Sequence, residues 1–137
     1  MKLYNTIKQI ILEKSVDQIT NSVKNRNIVT IYYDGEDNGG KGLREIEPFC
    51  FGVSKAGNLV LRAWERSGAS YTAQKGEQPL PGWRLFRFDR IGSYNLNPTD
   101  TFAEPRPLYN PRDKGMTDIK LCAKFDLEQW RTILSKN

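Results

Sequence analysis

The chain has 137 residues, a length that suits one domain with a single hydrophobic core. Its 21 Lys and Arg residues against 16 Asp and Glu residues give a net charge of +5, which favours polyanionic partners without resembling a basic tail. It contains no histidine, so a Ser-His-Asp or Cys-His nucleophile, an HExxH metal site and a histidine-ligated zinc finger are all excluded. The only cysteines, Cys50 and Cys122, lie outside any CxxC pattern, and we expect reduced thiols that each fill a small apolar slot in a cytoplasmic protein.

The N-terminal segment, residues 1–26, is predicted to be helical. Apolar residues recur at spacings of three and four over residues 3–25, which is typical of helices with one buried stripe. Ser15 and Gln18 match a capping box where the stripe skips a turn, so we expect two helices, over 3–14 and 16–25. Polar residues interrupt the apolar ones, and the segment therefore predicts neither a signal peptide nor a membrane span.

From Ile28 the hydrophobic period changes to two, and β-branched and aromatic residues predict a strand as far as Tyr33. A Gly-rich loop separates it from a second strand over 43–53, in which Pro48 indicates an edge position or a bulge. Further strands are expected over 58–66, 83–91 and 93–96, with a long polar loop before the second of these. Short strands at this spacing predict a small barrel or a strongly bent sheet.

The last segment, residues 98–137, differs in composition. Its prolines predict an extended arm that wraps the domain, and a strand over 119–125 follows. Asp126 and Gln129 cap a predicted helix over 127–135. The chain is therefore predicted to be a single α+β domain, with helices over 1–26, an SH3-like or Sm-like barrel over 27–97, and the arm and terminal helix over 98–137.

The Gly-rich loop from Asp34 to Gly42 comes close to two ligand-binding motifs. It departs from a P-loop at Gly42, where a Ser or Thr is required, and it leads into a strand rather than a helix. It departs from a calcium loop at Glu36, where Asp or Asn is required, and no helices flank it. A solvated hairpin loop is the favoured interpretation, and we expect neither a metal nor a cofactor.

Arginines supply the strongest candidate site. Strand alternation over 83–91 would turn Arg84, Phe86, Phe88 and Arg90 to one face and Arg87 to the other. Because a buried guanidinium is costly unless paired, each arginine should meet a carboxylate, solvent or an anionic ligand. Neighbouring strands add further arginines and aromatic rings, which together could hold phosphates and stack on bases. The added residues are Tyr33, Arg44, Arg62 and Trp64.

Three stretches carry a resemblance to a known family. Residues 84–91, Arg-Leu-Phe-Arg-Phe-Asp-Arg-Ile, are similar to an Arg-x-Phe-Arg-Leu-Asp-Arg-Ile strand. Residues 31–33 and 44–48 are similar to Ile-x-Tyr and Arg-x-Val-x-Pro strands. In this order they resemble the WYL domain, a small Sm-like or SH3-like barrel of bacterial and phage regulators. The Trp-Tyr-Leu triad that names the family falls on Leu59, Val60 and Leu61, where only the last residue agrees.

The resemblance implies a role in regulation. Family members are commonly transcription regulators, and in several the barrel senses single-stranded nucleic acid or nucleotides through a basic and aromatic surface. The matching residues are Tyr33, Arg44, Arg84, Arg87 and Arg90, and strand adjacency adds Arg62 and Trp64. About 27 residues precede the barrel, too few for a winged helix-turn-helix module. We therefore expect a non-enzymatic sensor or accessory protein in a bacterial or phage defence context, with DNA, RNA or a nucleotide as its ligand.

Two other hypotheses stay open. The first is a protein-interaction module, in which the arginines pair internally and the arm with Trp130 and Leu134 forms a dimer or docking surface. The second, which is weaker, is a metal-dependent enzyme using carboxylates such as Asp34 and Glu45. No acid and base pair can be placed for it from the sequence.

Overall fold

The computed structural model describes residues 16–35, 40–68, 80–126 and 128–131. It is mostly β, with a six-stranded antiparallel sheet and short helical segments. The strands are β1 (Asn27–Asp34), β2 (Lys41–Val53), β3 (Leu59–Gly68), β4 (Gly82–Arg87), β5 (Ile91–Thr101) and β6 (Asp118–Cys122). Helix α1 covers residues 16–25, a 3-10 turn (Phe88–Arg90) joins β4 to β5, and α2 covers the described residues 128–131. Within these ranges no helix is long and apolar enough to cross a membrane.

The long central strand β2 organises the sheet. The strand order is β4-β3-β2-β1-β5, and β6 lies beside β2. On one edge β2 pairs with β1 as far as Ile46 and with β6 from Cys50 onward, while β3 pairs along its other edge. A register shift falls between Pro48 and Cys50, which confirms the predicted bulge. Pro48 has no N–H to donate to a neighbouring strand, but this costs little free energy because the residue lies where β2 changes from one partner strand to the other.

One face of the sheet, here called the inner face, carries the apolar core. Because side chains alternate along a strand, every second residue points toward this face, and many of these residues are β-branched or aromatic. Helix α1 adds Ile19 and Val23 to the same cluster. The Ser22 hydroxyl lies 2.6 Å from the Tyr94 hydroxyl, which ties α1 to β5. The sheet residues buried here include Val29, Ile31, Ile46, Leu61 and Phe86.

The opposite face, here called the arm face, is covered by residues 102–117, which form neither helix nor strand. The Phe49 ring lies at the centre of the contacts, 4.9 Å from Trp83, 4.9 Å from Phe102 and 4.7 Å from Tyr109 between ring centroids. Tyr109 in turn stacks on Trp130 of α2 at 5.6 Å. Both faces of the central strands are therefore buried, although β2 and β3 belong to an antiparallel sheet.

Several sequence predictions are refined by the structure. In the described residues the strand path ends at β4 and β5, which do not pair with each other, so backbone hydrogen bonds do not close the sheet into a barrel. The strand predicted over 83–91 ends at Arg87, because the chain turns through the 3-10 segment into β5. Asp126 and Gln129 bond reciprocally at 2.8 Å, as a capping box requires. The helix predicted over 3–14 lies outside the described residues, as does the centre of the Gly-rich loop, 36–39.

The expectation for the cysteines is wrong. Cys50 on β2 and Cys122 on β6 face each other across the ladder and form a disulfide, instead of filling separate slots. Their separation of 72 residues hides this contact in the sequence, since it depends on β6 returning to the second half of β2.

Phe49→Ala should lower the free energy of unfolding by about 3–5 kcal/mol, because it removes a fully buried ring at the centre of the aromatic cluster. Leu43→Ala, on the same strand at 60% exposure, should cost about 0.5 kcal/mol or less. Urea unfolding followed by tryptophan fluorescence measures both. Equal losses in the two variants would contradict the placement of the core.

Candidate ligand-binding cluster

The structure does not bring the seven candidate side chains onto one face. Tyr33, Arg44 and Arg84 lie on the inner face, around a carboxylate that the sequence analysis did not single out, Glu65. Arg62 and Trp64 lie on the arm face. Arg87 ends β4, and Arg90 ends the 3-10 turn. The strand pattern predicted one continuous arginine surface, and this prediction is wrong, because the seven side chains lie in separate parts of the structure.

The Glu65 cluster consists of Arg44, Glu65 and Arg84. Oε1 of Glu65 lies 3.3 Å from Nη1 of Arg44 and 3.6 Å from Nε of Arg84. The side chain of Glu65 is fully buried, and those of Arg44 and Arg84 are 6% and 10% exposed. Arg44 also donates to the Gly40 carbonyl, and Arg84 donates to the Trp83 carbonyl at 2.9 Å. Three charged side chains are thus held at the end of the sheet where β1 ends and β2 begins.

Aromatic rings fix the position of Arg44. Its guanidinium carbon lies 4.9 Å from the Tyr33 ring centroid and 5.5 Å from that of Phe86, within the range of cation–π attraction. The Tyr33 hydroxyl accepts the backbone N–H of Arg87 at 3.0 Å. Tyr33 is only 8% exposed, so its ring holds Arg44 and cannot stack on a base. The exposed ring of β1 is Tyr32, which alternation places on the other face.

Close backbone approach also shapes the cluster. Gly68 ends β3 opposite Arg44, with a φ of +132°. A Cβ at this position would lie 2.5 Å from the Leu43 carbonyl oxygen and 2.7 Å from the Arg44 Cα. Only glycine therefore fits where β3 passes the cluster.

Burial dominates the electrostatics of the cluster. It raises the pKa of Glu65 above its usual range, although the charges of Arg44 and Arg84 and a hydrogen bond from Arg44 act to lower it. Burial likewise lowers the pKa of Arg84, against the attraction of Glu65. In the described part of the chain, Nε of Arg44 and Oε2 of Glu65 are buried and have no hydrogen-bond partner. Arg44 and Glu65 therefore each retain a buried polar atom with no hydrogen-bond partner among the described residues.

On the arm face the arginines are paired. Arg62 binds both oxygens of Asp113, at 2.6 and 3.1 Å, and the N–H of Gly115 adds a third bond at 2.8 Å. Burial alone would raise the pKa of Asp113, but these hydrogen bonds and the charge of Arg62 bring it below its usual value. The pair borders an open cavity of about 290 Å³ that is also lined by Trp83, Leu108 and Lys114.

Trp64 is also occupied within the protein. Its ring lies edge-on to Trp83 at 5.4 Å, and the guanidinium carbon of Arg106 lies 5.6 Å from its centroid. Arg106 binds both oxygens of the buried Glu47, at 2.7 and 2.6 Å. No local sequence pattern pairs Glu47 with Arg106, because the two residues are 59 positions apart.

The remaining two arginines flank the 3-10 turn. Arg87 is 39% exposed and binds both oxygens of Asp89, at 3.1 and 2.7 Å. Arg90 is half-buried. Alternation along β4 places Arg87 on the face opposite Arg84, away from the Glu65 cluster. The 3-10 turn then takes Arg90 out of that alternation.

No protein-family model matches the sequence, and no curated protein does. Among solved structures, the chain is similar to the proteasome accessory factor B/C (PafBC) of Arthrobacter aurescens, with a TM-score of 0.54 and 21% identity. The match covers 71% of this chain and 13% of the PafBC chain. This is a likeness of fold alone. The likeness is consistent with the WYL-like fold that the sequence predicted.

Asp113→Asn should lower the free energy of unfolding at pH 7 by about 1–3 kcal/mol, because Arg62 loses a charged partner. The depressed pKa of Asp113 means that its stabilisation is present above the unfolded-state pKa of about 3.9 and is lost as the pH falls through the folded-state pKa. Urea unfolding should therefore show a difference in the free energy of unfolding between wild type and variant at pH 7, and this difference should be smaller at pH 3. Asp89→Asn, which removes the carboxylate of the exposed Arg87–Asp89 pair, should lower the free energy of unfolding by about 1 kcal/mol or less. A gap for Asp113→Asn that widens in acid would contradict this assignment.

Proposed function

We propose that this chain is a non-catalytic, accessory regulatory module in which the Glu65 cluster binds a nucleotide or a segment of single-stranded nucleic acid. The observation that carries the proposal is that Nε of Arg44 and Oε2 of Glu65 are buried and have no hydrogen-bond partner among the described residues. A buried polar atom without a partner costs about 1–3 kcal/mol. Because both atoms are buried, the cluster has to open for a ligand to reach them, and a ligand that bonds to both recovers that free energy on binding.

Comparison with the other buried carboxylates in the described residues supports this proposal. Both oxygens of Glu47 and both oxygens of Asp113 are bound by a single arginine. Glu65, which is at least as buried, has a hydrogen bond to only one of its oxygens. We therefore assign a structural role to the pairs in which both carboxylate oxygens are hydrogen-bonded. Glu65, with one oxygen that is not, is the candidate for binding.

The unused atoms also indicate the chemistry of the ligand. The Arg44 N–H donates, and phosphate oxygens and base carbonyls are suitable acceptors. The Glu65 oxygen accepts, and the amino and imino groups of bases are suitable donors. A nucleotide carries both kinds of group, on its phosphate and on its base. The net charge of +5 would increase the rate at which a polyanion meets the protein. The WYL-like fold is consistent with a regulatory role.

Arg84→Gln should weaken the binding of fluorescently labelled DNA and RNA single strands by about tenfold or more, because it removes a guanidinium from the cluster. The matched control is Arg66→Gln, which removes the same charge on the arm face beside Glu45 and Glu47. Fluorescence anisotropy at low and physiological salt measures both, and wild-type affinity should fall with salt. No wild-type binding at low salt, or equal losses in the two variants, would overturn the proposal.

A protein-interaction module is the second candidate, and one observation favours it. Leu108 on the arm is 88% exposed and has a φ of +64°, an unfavourable conformation for an apolar residue. Trp130 of the expected docking surface packs on Tyr109 instead, and Leu134 lies outside the described residues. Light scattering coupled to size-exclusion chromatography would reveal a dimer, and a dimer that Leu108→Ser dissociates would support this candidate.

A further inference from the structure

We infer that the Cys50–Cys122 disulfide is redox-active: a dithiol reductant opens it, and the same fold accommodates the reduced form. This inference concerns a different part of the molecule from the Glu65 cluster and does not depend on the ligand proposed there. It rests on the unequal exposure of the two sulfurs and on the hydrogen-bond acceptors beside each of them.

The two cysteines differ in their access to solvent. Cys50 lies on the central strand β2 and is fully buried. Cys122 ends β6, is half-buried, and lines an open groove of about 580 Å³ together with Leu121 and Trp130. A reductant can therefore reach Sγ of Cys122 but not Sγ of Cys50. Lys120 and Lys124 line the same groove, and cationic side chains favour the thiolate form of an approaching thiol.

Each sulfur also lies beside an acceptor for a thiol hydrogen. Sγ of Cys122 is 3.3 Å from the Pro111 carbonyl oxygen. Sγ of Cys50 is 3.5 Å from the Tyr109 hydroxyl oxygen. That hydroxyl donates its own hydrogen to the Ala123 carbonyl at 2.8 Å, so its oxygen can accept an S–H from Cys50. A disulfide has no hydrogen for either acceptor, whereas the reduced cysteines could each donate an S–H to the neighbouring oxygen.

The exchange balances with a dithiol as co-reactant. A thiolate of the dithiol attacks Sγ of Cys122, the Cys122–Cys50 bond breaks, and the electron pair leaves on Sγ of Cys50, which takes up a proton. The second thiol of the reductant loses its proton and attacks the mixed disulfide. This step closes the reductant's own disulfide and releases Cys122, which is protonated to the thiol. Two electrons pass from the dithiol to the protein, and the reverse sequence oxidises it.

Reduction would remove the covalent link between the C-terminal segment and the centre of the sheet. Cys50 is opposite Arg62 in the β2–β3 ladder, and Pro111 lies two residues before Asp113. The disulfide is thus adjacent to the elements that form the arm-face cavity. The redox state would set how firmly the arm is held there.

The first test is a thiol count on the native, full-length chain purified in air. Alkylation with iodoacetamide and intact mass measurement should find no adduct before treatment with dithiothreitol and two adducts after it, without denaturant. Circular dichroism should show the same fold in both states. Two adducts without reductant, a disulfide that opens only in denaturant, or unfolding on reduction would each overturn the inference.

The second test assigns the accessible sulfur with single variants whose fold is verified by circular dichroism. Cys50→Ser leaves Cys122 in the groove, and it should form a mixed disulfide with oxidised glutathione about tenfold faster or more than Cys122→Ser, which leaves the buried Cys50. Mass spectrometry over time measures both rates. Equal rates, or a faster reaction of Cys50, would contradict attack at Cys122.

Discussion

The length of β2 is the constraint on which the rest of the structure depends. At 13 residues it is longer than either partner on one of its edges, so β1 pairs with its first part and β6 with its last. The bulge after Pro48 lies at the change of partner and presents Phe49 to the rings of the arm. The arm, the disulfide and the aromatic cluster all follow from this pairing, because each requires the C-terminal segment to return to the centre of the sheet.

The buried carboxylates of this sheet and arm are paired with arginines, and the pairs differ in how many carboxylate oxygens are hydrogen-bonded. Bidentate contacts from the arm neutralise Glu47, and β3 supplies Arg62 to Asp113. These pairs fasten the arm to the sheet, and each oxygen of the two carboxylates accepts at least one hydrogen bond. Glu65 differs because Arg44 is held by Tyr33 and Phe86 as well as by the carboxylate, which leaves one polar atom unused on each partner. A difference in hydrogen bonding, and not in charge alone, therefore separates the candidate binding cluster from the structural ion pairs.

Much of the β structure could be predicted from the sequence, because a period of two and turn residues are local signals. The strand beginning near Ile28, the bulge at Pro48 and the cap formed by Asp126 and Gln129 were visible in this way. Alternation also placed Arg84 and Phe86 correctly on one face. It failed beyond Arg87, where a 3-10 turn ends the alternation, and it could not show that β6 brings Cys122 to Cys50. Contacts between distant strands, including Arg44 with Glu65, have no local signal.

Side-chain NMR of the arginines tests the central claim most directly, because it observes the unused atom itself. The Nε–H signal of Arg44 can be assigned by its loss in Arg44→Lys, provided that the variant keeps the wild-type backbone spectrum. Titration with a DNA single strand of about ten nucleotides, a length typical of small nucleic-acid-binding folds, should shift this signal as the N–H gains an acceptor. A strand that binds without moving the Arg44 signal, and shifts only signals on the arm face, would contradict the assignment of the Glu65 cluster as the binding site.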